Sequence, residues 1–246
     1  MRRPSVPGAD LAGTSVLATD YDGTLAAEGR TAATTLAAVD RWQASGRKAL
    51  LVTGRKLSDL AVVFPEHVRF DAVVAENGAV FQQLGEAPVV LGDAPPPAFI
   101  DALARHGVVD VAVGQSVVAT PRGEEPAVMA ALAELRLPWR VILNKDSLMC
   151  LPPGIDKGAG LFFALGRLGL APAQTVGVGD AENDLDFLRL CGVFAVVANA
   201  LPELTAAADV VAPADAGAGV AWLIDRLLAN DVSPPAWRTA MGRSGG

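Results

Sequence analysis

Asp20 and Asp22 stand two positions apart in the stretch "VLATDYDGTLAAEG" (16–29), where an apolar run breaks into a Gly-Thr turn. Two carboxylates at the end of a buried strand repel each other and are costly to desolvate, so they call for a partner of opposite charge. Three more polar groups come after apolar runs in the same way: Thr53-Gly54-Arg55, Asp156-Lys157-Gly158 and "GDAENDLDF" at 179–187. Asp20, Asp22, Asp180 and Asp184 offer hard oxygen ligands, and that much charge is tolerable around a small divalent cation, Mg2+ being the usual one. Opposite them, Lys157, the Thr53 hydroxyl and the backbone N–H groups of Gly54 and the Asp20–Thr24 turn make an anion cradle. A metal beside an anion cradle describes a phosphate site.

The elements that must position these groups are legible from the apolar pattern. Short apolar runs alternate with longer amphipathic stretches, which predicts an α/β fold with a parallel sheet and crossover helices. Strands are expected near 15–19, 48–53, 71–75, 174–179, 193–197 and 209–212, with helices near 31–45, 57–64, 158–168, 183–190, 201–207 and 218–229. Gly46, Gly169 and Gly192 fall where a helix takes a left-handed C-terminal residue. In open sheets of this kind ligands bind outside the carboxyl ends of the strands, where the four polar groups fall.

The middle of the chain reads differently. After a hairpin-like "VFQQLGEAPVVLG" and Pro95-Pro96-Pro97, the pattern is helix 97–106, strands 108–113 and 115–120, helix 125–135, then strands 140–145 and 147–151. A helix-strand-strand unit appearing twice with tight connections favours a small antiparallel layer. The expected organisation is a discontinuous core at 13–82 and 154–232, an inserted α+β domain at 83–153, and flexible tails at 1–12 and 233–246.

Composition excludes several classes of partner. With 51% hydrophobic and 19% charged residues over 246 positions, the chain can bury a substantial core. A net charge of −7 without a Lys/Arg cluster leaves no nucleic-acid footprint. No run of about 18 apolar residues predicts a membrane span, and the arginines at the N-terminus lead into no signal-peptide core. Cys150 and Cys191 sit in apolar surroundings with no metal spacing, which fits buried thiols in a reducing cytoplasm. His67 and His106 neighbour no motif, and no P-loop or dinucleotide fingerprint occurs.

Taken together, "DYDGT", "VTGR", the lysine of "PPGIDKG" and "GDAENDLDFL", in that order, resemble a haloacid-dehalogenase-superfamily phosphatase of the Cof-type group, with a type IIB cap inserted between the second and third motifs. "ENGA" at 76–79 is similar to the stretch found after the third strand in that group. The resemblance implies a Rossmann-like core and a Mg2+-dependent phosphatase acting on a small phosphorylated metabolite, such as a sugar phosphate or a phosphoglycolate-like acid. It implies that Asp20 attacks phosphorus to give an aspartyl-phosphate and that Asp22 acts as general acid and then base. A general acid must stay protonated at first, which favours an apolar or carboxylate-crowded setting for Asp22. Thr53, Gly54, Lys157 and Asn183 would bind phosphate; Asp20, Asp22, Asp180 and Asp184 would form the metal set. A monomer or homodimer is expected.

Some positions depart from the pattern or leave it open. Tyr21 replaces the usual aliphatic residue or Phe, and "DYDGTL" is similar to trehalose-phosphate phosphatases, whereas the fourth motif is closer to Cof and sucrose-phosphatase types. The same core also supports phosphosugar mutases similar to phosphomannomutase, which need a basic cluster in the cap, and non-catalytic phospho-aspartate switches, which need no general acid. Arg122, Arg140, Asn144 and Lys145 are candidate contacts in the insert that read more readily as surface residues. Asp186 reads as a solvated helix position, Arg55 as facing either the cleft or solvent, and Glu76-Asn77 as a turn.

Overall fold

A computed structural model describes residues 13–144 and 147–229. Two sheets organise them. The larger has eight strands in the order β12-β11-β10-β1-β2-β3-β4-β5. These are β1 (Val16–Thr19), β2 (Lys48–Val52), β3 (Ala72–Ala75), β4 (Val80–Gln83), β5 (Val89–Val90), β10 (Thr175–Gly179), β11 (Val193–Val196) and β12 (Val210–Val211). Pairing is parallel from β12 through β3, and β4 and β5 add an antiparallel edge.

Side-chain parity explains why these strands are almost wholly apolar. Leu17, Ala49 and Leu51 point to the face covered by α1 (Ala33–Ala44) and α8 (Ala216–Leu228), where Trp42, Val39, Leu223 and Ile224 meet them. Val16, Ala18, Leu50 and Val52 point to the opposite face, against α5 (Lys157–Leu168) and α6 (Leu185–Leu190) with Leu161, Leu165, Phe187 and Leu188. A parallel sheet buried on both faces has no solvated side to carry polar residues, so polar groups collect at strand ends. Short α2 (Leu57–Val63) and α7 (Pro202–Ala207) complete this part.

The smaller sheet is antiparallel, in the order β6-β7-β9-β8, from β6 (Ala112–Val113), β7 (Val118–Pro121), β8 (Arg140–Asn144) and β9 (Ser147–Leu151). Along β9, Leu148 and Cys150 face α3 (Pro97–Arg105) and α4 (Glu125–Leu135), packing with Phe99, Leu103 and Val128. Met149 and Leu151 face the other way and join the main core cluster. The layer is therefore closed on the main sheet.

Several expectations change. The strand at 89–90 pairs with β4 in the main sheet, although its hairpin reads as part of the insert. The strand foreseen at 108–113 shrinks to Ala112–Val113: Val108 turns into the small core while Val109 is exposed, leaving a short edge. The helix foreseen at 183–190 opens with a 3-10 turn, Glu182–Asp184. Gly46 and Gly169 adopt the left-handed conformation, but Gly192 does not; a Cβ there would lie 2.2 Å from the Ala173 carbonyl oxygen, so its glycine answers to close packing. Both cysteines are buried thiols outside any disulfide, and burial pushes the Cys150 thiol up to about 12. The foreseen tails at 1–12 and 233–246 lie outside the described residues. Among the described residues no helix is long and apolar enough to cross a membrane.

Candidate active site

β1 and β10 are neighbours, so the loops after them leave the sheet side by side. The Asp20 N–H donates to the Val178 carbonyl at 3.0 Å, which carries the sheet register one residue into the first motif. Beyond it the chain folds into a tight turn in which the Leu25 and Ala26 N–H groups donate to the Tyr21 carbonyl. Gly23 N–H donates to the Ala26 carbonyl and Thr24 N–H to that of Tyr21, so these two close the turn and are not the anion cradle foreseen for them. The Thr24 hydroxyl instead donates to Asp180 Oδ1 at 2.7 Å, joining the loops after β1 and β10.

Lys157 opens α5 behind an Asp156 N-cap and points back to the same edge. It is 1% exposed, contrary to a lysine's usual place in water. Its Nζ donates to Asp20 Oδ1 and to Asp184 Oδ1, both at 2.6 Å. Asp184 Oδ2 accepts the N–H groups of Asp180 and Ala181, each at 2.9 Å. That tight loop needs Gly179, because a Cβ there would meet the Asp184 side chain at 2.7 Å.

Asp20, Asp180 and Asp184 each present a carboxylate oxygen within 4.8 Å of the others, and all three are buried. Burial, and then Asp184, push the Asp20 carboxyl well above the ordinary carboxylate range against the pull of Lys157. Burial alone would lower the Lys157 ammonium; Asp184 and Asp20 outweigh it, so its pKa lies above that of an ordinary lysine. Three buried carboxylates brought this close repel one another, and their hard oxygens fit a divalent cation such as Mg2+.

Asp22 does not belong to this acidic group. Both of its oxygens accept from Arg55, Nε to Oδ2 and Nη2 to Oδ1, each at 2.7 Å. Its setting is thus a guanidinium fork, because Arg55 turns into the cleft. Tyr21 supports that turn: its ring lies 5.6 Å beneath the guanidinium carbon, packs on Phe64, and sends its hydroxyl to the Gly29 carbonyl. The departure at position 21 therefore acts on Arg55 from below.

Thr53 is fully buried, and its Oγ1 accepts the Arg55 N–H at 3.1 Å. Gly54, with Asp22 and Arg55, lines a cavity of about 380 Å3 roofed by Val117, Ala119 and Met149 of the small layer. Asn144 lines it too, whereas Arg140 pairs with Asp186 and Asp156 and ties the layer to the main body. Asp186 is accordingly a docking partner and not merely a solvated position. Lys145 lies outside the described residues.

Asn183 donates to Asn77 Oδ1 at 3.0 Å, a partner that sequence reasoning missed. Glu76 and Asn77 are both buried with left-handed backbone, where the sequence reads only as a turn. The signal was present: a Glu-Asn-Gly run immediately after a strand whose carboxyl end faces the other motifs, with Asn and Gly tolerant of positive φ.

The profile of the haloacid dehalogenase-like hydrolases matches residues 17–93 and 140–224. A phosphoglycolate phosphatase of Halorubrum lacusprofundi is 31% identical over 79% of this chain and 89% of its own. Phosphoglycolate phosphatase 2 of Saccharolobus solfataricus is 32% identical over 41% of this chain and 42% of its own; the Methanothermobacter thermautotrophicus phosphoglycolate phosphatase is 40% identical over 31% and 34%. The chain thus spans less than half the length of those two relatives. Among solved structures, a HAD/Cof-like hydrolase from Plasmodium vivax superposes with a TM-score of 0.77 at 16% identity, covering 90% of this chain and 99% of the other. The subclass IIB sugar phosphatase BT4131 gives 0.69 at 19% identity, covering 87% and 98%.

Proposed function

The chain belongs to the haloacid dehalogenase-like hydrolases, and from that premise we propose that it hydrolyses a phosphomonoester of a small metabolite, a sugar phosphate or a phosphoglycolate-like acid. The observation that carries this reading is the meeting of Asp20, Lys157, Asp180 and Asp184 at one sheet edge beside a cavity lined by Asp22 and Gly54.

Asp20 is the nucleophile. Its carboxylate oxygen forms a bond to phosphorus while the bond from phosphorus to the leaving oxygen breaks, giving an acyl phosphate. Lys157, hydrogen-bonded to Asp20 and Asp184, holds the nucleophile in place and screens its repulsion from the incoming phosphate. Asp20, Asp180 and Asp184 would hold Mg2+, which supplies further neutralisation of negative charge. Thr53 and Gly54 flank the phosphate end, and Asn183 donates there.

Asp22 faces the cavity, where the leaving group must lie. Entering the reaction with a proton taken from solvent on the oxygen that Arg55 releases, it gives that proton to the departing alkoxide and then takes one from the water that attacks phosphorus, so that the acyl phosphate bond breaks and Asp20 is restored. Arg55 orients Asp22 through the bidentate pair and must release one oxygen for this transfer. The four-stranded layer acts as the cap that excludes bulk water. A mutase reading is less well supported: the described cap wall of Val117, Ala119, Asn144 and Met149 offers no cation for a second phosphate.

The test is phosphate release from p-nitrophenyl phosphate and a panel of metabolite phosphates, with Mg2+ and with EDTA. Turnover is expected only with the metal and is expected to fall at least about 10^4-fold in Asp20→Asn. Full activity in that variant, or in EDTA, would refute the mechanism.

A further inference from the structure

Asn77 touches three parts of the site, the loop after β2, the fourth motif and β9 of the small layer, without lining the cavity. Its N–H donates to the Thr53 carbonyl at 3.0 Å, and its Oδ1 accepts from Asn183 Nδ2 at 3.0 Å. Its Nδ2 contacts Met149 Sδ, on the cavity face of β9, at 2.8 Å. The same amide sits 3.2 and 3.3 Å from the place a Cβ would take on Gly54, so it also backs the phosphate-end loop. The side chain is wholly buried, at φ 51 and ψ 37. Glu76 beside it has φ 49, and its Oε2 accepts the Ser116 N–H of the β6–β7 turn at 3.2 Å. Two successive non-glycine residues in left-handed backbone are uncommon, and such conformations persist where the surroundings over-determine them.

A turn residue with only a structural task needs no amide whose two ends engage different parts of the protein. Here the oxygen holds a residue of the fourth motif while the nitrogen reads the small layer. An amide is planar, so fixing one end fixes the other. With Met149 in place the Asn77 plane is set, and with it the Asn183 amide that donates to it.

We propose that Asn77 is a positioning residue that couples closure of the four-stranded layer to the orientation of Asn183 and Gly54 at the phosphate end. The inference rests on the phosphatase reading above. Lifting the layer removes the Met149 contact and frees both amides to rotate; closing it aligns them. The phosphate end is then fully assembled only under a closed layer, which favours turnover of substrates large enough to be enclosed.

A double-mutant cycle tests this. Asn77→Gly keeps the backbone conformation accessible and deletes the amide; Asn183→Ala removes its partner. Asn77→Gly is expected to lower kcat/KM for p-nitrophenyl phosphate about 10-fold and to weaken inhibition by inorganic phosphate. In the Asn183→Ala background the same change is expected to cost less than about 3-fold, because the group it positions is gone. If the two losses multiply, Asn77 is a structural turn and the proposal fails. Should Asn77→Gly not fold, Asn77→Asp keeps the acceptor for Asn183 and loses the donor to Met149. Its loss is then expected to be non-additive with Met149→Leu, a swap that keeps volume but removes sulfur; multiplicative losses would again overturn the assignment. Wild-type chain that releases phosphate from no substrate would sink the phosphatase reading itself, a result distinct from active enzyme with multiplicative losses.

Discussion

The two sheets solve burial in different ways, and the difference decides where each puts its functional groups. Strands β1, β3, β10 and β11 are buried on both faces, so no residue within them is available to a ligand. Their chemistry is displaced to the loops at their carboxyl ends, where Asp20 and Asp180 emerge next to each other. The small layer packs its own helices on one face. Its other face meets the main core through Val117 and Leu151 and also walls a cavity, with residues such as Ala119 and Met149. One part concentrates charge at strand ends; the other offers shape from strand interiors.

Removing the lysine of the main sheet's cluster should separate the two regions most widely, because it strikes both activity and stability. Lys157→Met leaves the Asp20 and Asp184 carboxylates facing each other in a buried site. Phosphate release is expected to fall about 10^3-fold, and stability at neutral pH by about 3 kcal/mol, as for breaking a buried pair. Chemical denaturation alongside the assay checks both. A variant of unchanged stability would mean that the charge cluster is not what sets this region apart.

Asp22 lies on the boundary between the two regions, and its contribution should depend on the leaving group. In Asp22→Asn, turnover of alkyl phosphates is expected to fall at least about 10^2-fold, since an alkoxide needs a proton as it departs. In the first turnover, p-nitrophenyl phosphate, whose phenolate leaves unaided, should lose much less, because only the later attack of water still needs Asp22. Equal first-turnover losses for both would show that Asp22 gives no proton to the leaving group.

The same contrast explains what could be read from the sequence. Residues of the main sheet announce themselves because an apolar run ending in Asp-x-Asp or Gly-Asp marks a strand end, and strand ends are where its chemistry must be. Asp20 and Asp180 were therefore legible from strand ends, whereas Asp184 and Lys157, which lie on helical turns, were legible only through the order of the motifs together. The cavity wall was not, because Val117, Ala119 and Met149 differ from core residues only by strand parity, which depends on register. Asn77 and Arg55 were half-legible. Their types and places could be read, but which way a side chain turns depended on distant partners such as Asn183, Met149 and the ring of Tyr21. Arg140 is an exposed residue, as its sequence setting reads, but nothing local signals that it docks on Asp186 across the boundary.

Packing offers a third way to separate the regions. Phe99 is fully buried in the small layer's own core, 5.5 Å from the Trp139 ring. Phe99→Ala is expected to cost about 3–5 kcal/mol locally. Hydrogen exchange should then show faster opening of amides in β7 and β9 while those of β1 and β10 keep their protection. Uniform loss of protection would mean that the two sheets form one cooperative unit.

The smallest effect is electrostatic and compares one carboxylate from each region. Asp71, before β3, is pushed up by partial burial. Lys48, the Ala49 N–H and Gln43, at 2.8, 2.9 and 3.1 Å, outweigh that push and hold it below its ordinary value. Glu134 on α4 is also lowered, by Arg105 and then His106, but it is fully exposed. For a carboxyl lowered in the folded state, the stabilisation is present above the unfolded value and is lost as pH falls through the folded one. Asp71→Asn should therefore cost about 1 kcal/mol at pH 7, with the difference from wild type shrinking below about pH 4. Glu134→Gln should leave the unfolding midpoint unchanged at physiological salt, because solvent and ions screen an exposed pair. Denaturation midpoints of both variants at pH 7 and pH 3 decide it. A pH-dependent loss in Glu134→Gln as large as that in Asp71→Asn would show that the small layer relies on its surface charges as the main sheet relies on its buried ones.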